Sequence, residues 1–327
     1  MSVVTSTRNK AKYLELTLTG YSLQSHRQFE IIVVNDGSSD ETEMVIEHYQ
    51  KILPIRYIHQ QQPLGISASR NCGLRIAEGE IVVFTDDDRI PCPTFLEAHS
   101  SILANKQNEV SIGNQHRIVS YFTPELDFNY GDAVGFYGKH PELLDVYEPQ
   151  TLLTPRILAD DFHAAVEACY LSRFDDAMLR TMADQFGDEL VGFHLAWSKA
   201  FGGNMAFNRA GGADIRFDEQ YTGYGKEDTD YAYQLYERGY RFRFNRNAHN
   251  YHQEHPRRAG EMWEHFRNFR YFCSKYSTLE VLLHKLDQED VLTLHEANAI
   301  LEAFRRYGSE ILPKLALRVG FKEQGGM

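Results

Sequence analysis

Three adjacent aspartates, Asp86, Asp87 and Asp88, follow closely after the apolar run at residues 81–84. Carboxylates at this spacing repel one another, so a cation is expected nearby. Carboxylate oxygens favour hard ions such as Mg²⁺ or Mn²⁺, which would bridge a diphosphate and neutralise a leaving group. If the backbone stays extended, Asp86 and Asp88 face the same way. A solvated acidic loop is the ordinary alternative, but the position after an apolar strand favours a site.

A fourth carboxylate, Asp36, ends another apolar run at residues 31–34. It could accept a hydrogen bond from a base N–H or from a ribose hydroxyl. The alternative is that it caps the following helix, but Ser38, Ser39 and Asp40 are better capping candidates. That leaves Asp36 available for a ligand.

An acidic pair, Glu227 and Asp228, lies at the predicted start of a helix, where the helix dipole stabilises negative charge. An ionised aspartate there could take a proton from an acceptor hydroxyl. Gly223 and Gly225 precede the pair and would allow a ligand to approach the backbone closely. The alternative is that both are simply first-turn helix acids.

Two further groups of residues have open interpretations. His249, His252 and His255 lie close together, and their spacing alone does not choose a metal ligand among them. Gly203 and Asn204 could form a plain turn, or their backbone amides could bind a donor sugar.

The first half of the chain alternates strand-like and helix-like segments, which indicates a parallel sheet covered by helices on both faces. Ligands of such sheets bind beyond the carboxyl ends of the strands, where both acidic loops would lie. The predicted strands are 3–4, 31–34, 55–58 and 81–84, and the predicted helices are 14–21, 44–49 and 67–77.

The second half begins with an irregular stretch at 119–195, which we expect to be a variable insertion with some helix near 160–180. A helix is predicted at 227–238, ended by Gly239, and a strand at 240–244. From about residue 260 the apolar residues recur at helical spacing.

Composition limits the class of protein. The 327 residues are 43% hydrophobic and carry a formal net charge of −12, so nucleic acid is not expected as a partner. The four cysteines form no CxxC pair, which indicates reduced thiols and a cytoplasmic protein. We expect no signal peptide and no membrane-spanning helix. Lys314, Arg318 and Lys322 could touch the inner face of a membrane, although an ordinary terminal helix is the preferred explanation.

Residues 2–105 resemble the nucleotide-binding half of the inverting family-two glycosyltransferases of GT-A fold. The segments that carry the resemblance are SVVTSTRN (2–9), FEIIVVNDGSSDET (29–42), GISASRNCG (65–73) and FTDDDRIPCPTFL (84–96). The resemblance implies an α/β fold with a Rossmann-like, mostly parallel sheet. It also implies a nucleotide-sugar donor, with a UDP-sugar favoured, and Mn²⁺ or Mg²⁺ as cofactor.

The same resemblance assigns roles to residues of this half. Thr5 and Asp36 would hold the uridine, and Asp88 would be the direct metal ligand. Asp86 would face the ribose or the outer shell of the metal. The remaining donor-binding residues would be Arg8, Gly65, Arg70, Asn71 and Asp87. Arg8 replaces a commoner tyrosine, and Asp87 is the member of the triplet expected to matter least.

The second half resembles chondroitin-polymerase-type enzymes and the β-galactosyltransferase group through WSKAFGGNMAFNR (197–209), GYGKEDTD (223–230) and YHQE (251–254). This resemblance implies that Asp228 is the general base, with Glu227 also meeting the acceptor. It also chooses His252 as the residue that completes the metal site.

Together these observations predict a glycosyltransferase domain at 1–259 with a helical extension at 260–327. The domain would comprise a nucleotide-binding half, a variable insertion and an acceptor-binding catalytic half, at 1–118, 119–195 and 196–259. The expected reaction is a single metal-assisted displacement by a hydroxyl acceptor, with inversion at the anomeric carbon.

Two alternatives compete with this function. A sugar-phosphate nucleotidyltransferase should have a glycine-rich loop after its first strand, and residues 5–12 contain no glycine. A non-catalytic carbohydrate-binding descendant is expected to have lost carboxylates that are all present here. A dehydrogenase is disfavoured because no GxGxxG follows a strand.

Overall fold

The computed structural model describes residues 1–173 and 176–308. Its strands are β1 (Ser2–Thr7), β2 (Glu30–Asn35), β3 (Ile55–His59), β4 (Ile81–Phe84), β5 (Arg89–Pro91), β6 (Glu109–Ile118), β7 (Tyr121–Phe122), β8 (Gln150–Thr151), β9 (Tyr170–Arg173), β10 (Met205–Asn208) and β11 (Arg241–Gln253).

The α-helices of the described residues are α1 (Ala11–Ser22), α2 (Thr42–Tyr49), α3 (Ile66–Ile76), α4 (Phe95–Leu103), α5 (Tyr130–Lys139), α6 (Pro155–Asp160), α7 (Phe162–Ala168), α8 (Asp176–Phe186), α9 (Glu227–Glu237), α10 (Glu261–Lys275), α11 (Leu279–Gln288) and α12 (Leu294–Tyr307). Short 3-10 helices lie at Pro141–Leu143, Ala196–Lys199 and Ala210–Gly212.

The main sheet has the strand order β3-β2-β1-β4-β10-β6-β11-β5, and β9 pairs with β6. Strands β3, β2, β1 and β4 are parallel, as the alternation of strands and helices predicts. Both faces of these strands are buried. Val4, Ile32 and Val34 face one hydrophobic core, whereas Val3 and Ile31 face the other. The predicted α/β architecture is confirmed, with helices covering both faces.

Two features of the second half position the site. Strand β10 inserts antiparallel between β4 and β6, which joins the second half of the chain to the nucleotide-binding half. Strand β11 is longer than the predicted strand and pairs antiparallel with the short β5. In that pairing His252 lies opposite Arg89, so the histidine is brought next to the aspartate triplet.

The predicted insertion is more regular than its sequence suggests. It holds the small β7–β8 sheet and a hydrophobic cluster of its own, formed by Val119, Phe122, Phe136 and Leu143. The helix expected near 160–180 is present as α7 and α8, but β9 separates them and pairs with β6.

The helical C-terminal part is present as α10, α11 and α12. Its residues Phe272, Leu283 and Leu301 belong to the same core as Trp197 and the sheet. Within the described residues, none of the helices combines the length and the apolar character that crossing a bilayer requires. Lys314, Arg318 and Lys322 lie outside the described residues.

Candidate active site

A cleft of about 920 Å³ opens at the carboxyl ends of β1 and β2. The first half of the chain lines it with residues that include Arg8, Asp36, Gly65 and Asp87, all of which were predicted to meet the donor. The second half contributes, among others, Gly223, His255, Arg258, Glu261 and Glu264. The cleft is therefore built by both halves of the chain, at the edge of the sheet where the strand order predicts a ligand.

The Asp36 carboxylate holds one wall of this cleft. Its two oxygens accept hydrogen bonds from the backbone N–H groups of Leu64, at 2.6 Å, and Gly65, at 3.0 Å. Gly65 has φ +92°, a conformation that glycine adopts readily. Asp40 contacts the first turn of α2 through the backbone N–H of Thr42, so Asp36 is not the cap. Asp36 thus faces the cleft while it fixes the loop before α3.

Three of the predicted donor-binding residues are turned away from the cleft. Thr5 is 1% exposed, inside the sheet. Asn71 is buried and exchanges hydrogen bonds with the backbone of Phe217. Asn204 is fully buried and hydrogen-bonds to His99, while its backbone N–H donates to Phe201. The side chains of Asn71 and Asn204 tie elements together, whereas the buried Thr5 Oγ1 has no hydrogen-bond partner among the described residues.

Arg70 joins the two halves of the site. Its guanidinium is 2% exposed and donates to Asp86 Oδ1 at 2.8 Å and to Glu227 Oε1 at 2.9 Å. Burial, followed by the neighbouring Asp228 carboxylate, raises the pKa of Glu227 to about 7, although Arg70 opposes the shift. The buried arginine therefore fixes the start of α9 against the loop that follows β4.

The Gly202–Gly203 pair is explained by close packing around these charges. A Cβ at Gly202 would lie 2.8 Å from Arg70 Nη2, and a Cβ at Gly203 would lie 2.8 Å from Asp86 Oδ2. Any side chain at either position would displace the arginine or the aspartate. The backbone N–H of Gly202 also donates to Asp228 Oδ2 at 3.0 Å.

Asp228 differs from its neighbour Glu227 in its access to solvent. It is partly exposed, whereas Glu227 is buried. Its Oδ1 accepts a hydrogen bond from the backbone N–H of Thr229 at 2.7 Å, and its Oδ2 accepts the bond from Gly202. The start of α9 at Glu227 confirms the predicted helix start. The carboxylate is thus oriented by two backbone groups and can still be reached by a substrate.

The carboxylates of Asp86 and Asp88 point in different directions. The chain turns at Asp87 and Asp88, so the extended backbone that would make Asp86 and Asp88 face the same way is absent. The Asp86 carboxylate lies beside Arg70 and, at 3.5 Å, Arg89. The Asp88 carboxylate lies beside two histidines instead. The expectation of a shared direction was wrong because this turn was not foreseen.

Asp88, His252 and His255 form a cluster that could hold a metal ion, with one ligand atom of each lying within 4.8 Å of the others. His252 Nδ1 is 3.1 Å from Asp88 Oδ1, and His255 Nε2 is 3.2 Å from Asp88 Oδ2. One carboxylate and two imidazoles are a donor set that divalent transition ions accept, so these residues fit such an ion. Asp86, also predicted as a ligand, is not part of the cluster because its carboxylate is held by Arg70.

His255 is the member of this cluster that the sequence left unresolved. It follows the end of β11 by two residues, and its ring lies 5.6 Å from that of Tyr13 on α1. The backbone N–H of Gln253 donates to the carbonyl of Asp88 at 2.9 Å and fixes the end of the strand against the triplet. The spacing His252-x-x-His255 was the available signal, but it did not separate His255 from His249.

Lys10 is a site residue that sequence reasoning missed. Its ammonium contacts the Asp88 carboxylate, lies 3.7 Å from Asp87 Oδ1 and lies 2.9 Å from His255 Nε2. Burial lowers the pKa of Lys10, but Asp88 and Asp87 outweigh burial and raise it. The available signal was its position at the start of α1, just beyond the carboxyl end of β1.

The electrostatics of the triplet follow from this arrangement. Burial raises the pKa of Asp88, but Lys10 and His252 outweigh burial and hold it well below its usual range. Asp87 lacks that support, so burial raises its pKa to about 6 despite Lys10. Burial lowers the pKa of His252. Burial also disfavours charge on His255, but its hydrogen bond to Asp88 raises the pKa above the usual value. Lys10 and Arg70 therefore supply positive charge beside the triplet.

Comparison with known proteins agrees with this geometry. Residues 2–125 match the family described as glycosyl transferase family 2, and residues 187–256 match the one described as the N-terminal domain of galactosyltransferase. The first match contains Asp36 and the triplet, and the second contains Asp228 and His252.

Two curated relatives extend these matches along the chain. The uncharacterized glycosyltransferase YfnE of Bacillus subtilis is 28% identical over 285 residues, which cover 86% of this chain and 71% of YfnE. Chondroitin synthase of Escherichia coli is 29% identical over 80% of this chain, but that region is only 36% of the synthase. This chain thus spans about a third of the synthase's length.

A solved structure agrees in fold. Residues 1–349 of Staphylococcus aureus TarS, in complex with UDP-GlcNAc, superpose with a TM-score of 0.54 at 18% identity, covering 95% of this chain and 77% of that one. The predicted GT-A fold is confirmed. These likenesses identify the chain as a glycosyltransferase that is similar to family two over residues 2–125 and to galactosyltransferases over residues 187–256.

Proposed function

We propose that this glycosyltransferase moves a sugar from a UDP-sugar to a hydroxyl acceptor with inversion at the anomeric carbon. One observation carries the proposal: Asp36 and His255 line the cleft, Asp88 and His252 cluster with His255, and Arg70 ties the triplet to Glu227, the neighbour of Asp228. A donor-binding group and a base are thereby held on opposite halves of one chain, joined by Arg70.

The donor side has the groups that a nucleoside diphosphate requires. Asp36 faces the cleft and can accept a hydrogen bond from the base, and Arg8 and Lys10 supply positive charge beside it. The choice of uridine is supported by the family resemblance and by UDP-GlcNAc in the TarS complex. Thr5, Asn71 and Asn204 are given supporting roles in this proposal, because their side chains are buried.

A divalent ion would be held by Asp88, His252 and His255. When bound, it supplies positive charge that stabilises the departing diphosphate. Two imidazoles beside one carboxylate favour Mn²⁺ over Mg²⁺, which prefers oxygen ligands. Lys10 then has to share Asp88 with the ion, and its ammonium remains close enough to neutralise phosphate charge.

Asp228 is the proposed general base. The acceptor hydroxyl gives its proton to Asp228, and its oxygen forms a bond to the anomeric carbon as the bond to the diphosphate oxygen breaks. Thr229 and Gly202 orient the carboxylate. Glu227, buried against Arg70, positions the start of α9 and does not reach the acceptor.

The test is an Asp228→Asn variant, assayed with a panel of nucleotide sugars for slow donor hydrolysis and for transfer to sugar acceptors. We expect turnover to fall by about 10²–10⁴-fold, since a general base contributes that much, while UDP binding persists. Asp214→Asn is the matched control, because Asp214 is exposed and pairs only with Arg238 among the described residues. NMR of the product should show the inverted anomer.

Turnover near the wild-type value would remove Asp228 from the role of base. A product with retained configuration would contradict the single displacement. No hydrolysis of any nucleotide sugar, together with no binding of UDP, would contradict the choice of donor.

A further inference from the structure

Helix α10 exposes a face that the proposed reaction does not use. Met262, Trp263 and Phe266 are 66%, 78% and 53% exposed. At 100° per residue these three lie on one side of the helix together with Arg267 and Arg270. We call these five residues the outer face of α10.

The outer face points away from the protein except at Arg267, whose guanidinium donates to the backbone carbonyl and to the Oγ1 of Thr222. The buried residues of α10 are Asn268, Phe269 and Phe272, on the opposite side of the helix. Glu261 and Glu264 lie toward the cleft, which they help to line. Exposing large apolar side chains to water is unfavourable. A cluster of them on the solvent side of a helix therefore indicates an interaction surface.

The charges of this face are of one sign. Arg267 and Arg270 are its only ionisable members, and within the described residues no carboxylate forms an ion pair with either of them. Glu264, the nearest acid along the helix, pairs with Arg258 at 2.6 Å on the cleft side. The chain as a whole carries a net charge of −12, so this basic face departs from the rest of the molecule.

Helix α10 is also connected to the loop at residues 222–225, which precedes α9. Asn268, on the buried side of α10, donates hydrogen bonds to the backbone carbonyls of Thr222, Tyr224 and Gly225. Glu264 accepts one from the backbone N–H of Tyr224 at 3.0 Å. These residues immediately precede Glu227 and Asp228. The outer face is therefore connected, through Arg267 and the neighbouring Asn268, to the loop that precedes Glu227 and Asp228.

We propose that the outer face of α10 binds an anionic lipid surface and holds the mouth of the cleft beside it. A tryptophan, a phenylalanine and a methionine flanked by arginines suit the boundary between acyl chains and negatively charged headgroups. This surface is distinct from the C-terminal lysines and arginine considered in the sequence, and the proposal does not depend on the donor or on Asp228.

Two other occupants fit the charges less well. A second copy packed face to face would bring Arg267 and Arg270 against their own equivalents near the symmetry axis. Residues 309–327 of the chain contain Lys314, Arg318 and Lys322, so their basic residues do not complement the arginines. In an anionic membrane, the headgroups complement the basic members and the acyl chains complement the apolar ones.

The two tryptophans make the test direct. Trp197 is fully buried, whereas Trp263 is 78% exposed, so a change in the environment of the outer face is reported by Trp263. Vesicles of phosphatidylcholine and phosphatidylglycerol should shift the fluorescence emission of Trp263 to shorter wavelength. They should also protect this fluorescence from quenching by iodide. Vesicles of phosphatidylcholine alone should do so much less, and sedimentation should show the same order.

Variants separate the contributions. Trp263→Ser/Phe266→Ser should weaken sedimentation with anionic vesicles by about tenfold or more, and Arg270→Glu by about fivefold or more. Met44→Ser/Ile52→Ser is the matched control, since these side chains are 68% and 62% exposed on the other side of the sheet and should leave binding unchanged. All variants should hydrolyse the donor at the wild-type rate.

Three results would overturn the proposal. Wild-type protein that does not bind anionic vesicles excludes a lipid surface. A Trp263→Ser/Phe266→Ser variant that binds vesicles normally but loses transfer to soluble acceptors makes the face an acceptor subsite. A variant that binds vesicles normally but changes its oligomeric mass makes the face an interface between copies.

Discussion

At the scale of single residues, the site is governed by how buried carboxylates are neutralised. Asp86 is paired with Arg70, and Asp88 with Lys10 and the two histidines. The pairing explains why three adjacent aspartates can be tolerated at the end of a strand, because each unpaired buried charge would cost several kcal/mol. The role of Lys10 in this balance can be tested separately from catalysis.

Replacing Lys10 with methionine should destabilise the metal-free protein. Asp88 is 3% exposed and would lose its ammonium partner, so we expect a loss of about 1–3 kcal/mol in EDTA, measured by thermal or urea unfolding. Added Mn²⁺ should stabilise this variant more than the wild type, because the ion then has no competitor for Asp88. Lys12→Met is the control, since Lys12 lies on the exposed side of α1 over Tyr121. Equal stabilisation of both variants by Mn²⁺ would contradict competition at Asp88.

At the scale of elements, the sequence predicts the strands and helices that depend on the local pattern of apolar residues. The four parallel strands and their helices follow from apolar runs and their spacing, and the start of α9 follows from Glu227 and Asp228. The partners of β10 and β11 do not follow from local pattern, because an antiparallel strand inserted between β4 and β6 is set by contacts distant in the chain. For the same reason, the place of His255 was left open.

The predicted roles of Asn71 and Asn204 show the limit of sequence-based prediction at the site. Both residues occur in segments that carry the family resemblance, but a motif does not say which side of the backbone meets the ligand. Asn204 is directed to His99 on α4 and to the carbonyls of Asn114 and Ala248. Its contribution is to hold α4 and β11 against the glycine pair.

His99 makes the packing of α4 sensitive to pH. Burial lowers the pKa of His99 from 6.5 to about 4, although its hydrogen bond to Asn204 opposes this. Between these values the unfolded chain binds more protons than the native protein, so the free energy of unfolding falls as the pH is lowered from 6.5 to 4. The loss should approach roughly 3 kcal/mol at the lower end, since each pKa unit is worth 1.36 kcal/mol.

Urea unfolding across this pH range tests the assignment. His99→Gln should be less stable at neutral pH, because its buried partners Ser111 and Asn204 are disturbed, but its stability should decline less steeply below pH 6.5. His26→Gln, at a partly exposed histidine, should keep the wild-type slope. An unchanged slope in His99→Gln would mean that other groups cause the pH dependence.

At the scale of the whole molecule, the helices beyond residue 260 share a core with the catalytic region. Phe272, Val281, Leu283, Leu294 and Leu301 pack in the same cluster as Trp197. The sequence predicts these helices but not their attachment, since amphipathic spacing gives an apolar face without naming its partner. We still propose 1–259 as the glycosyltransferase domain, but this shared core means that it should depend on the extension.

Deleting residues 260–327 should therefore unfold the protein and not merely shorten it. The five side chains together contribute about 7–15 kcal/mol by burial, which is comparable to the whole stability of a typical domain. Near-UV circular dichroism should lose its signal, because Trp197 and Tyr233 would be exposed. Deleting only residues 309–327, which lie outside the described residues, should leave the spectrum intact. A folded 1–259 fragment would contradict the shared core.

The central claim is that a metal ion at Asp88, His252 and His255 helps to hold a nucleoside diphosphate. Isothermal titration with UDP in Mn²⁺ and in EDTA measures it most directly. We predict that Mn²⁺ strengthens UDP binding by about tenfold or more in the wild type, and that His255→Gln removes most of this gain whereas the exposed His163→Gln keeps it. Equal UDP affinity with and without the metal, or an undiminished gain in His255→Gln, would contradict the account.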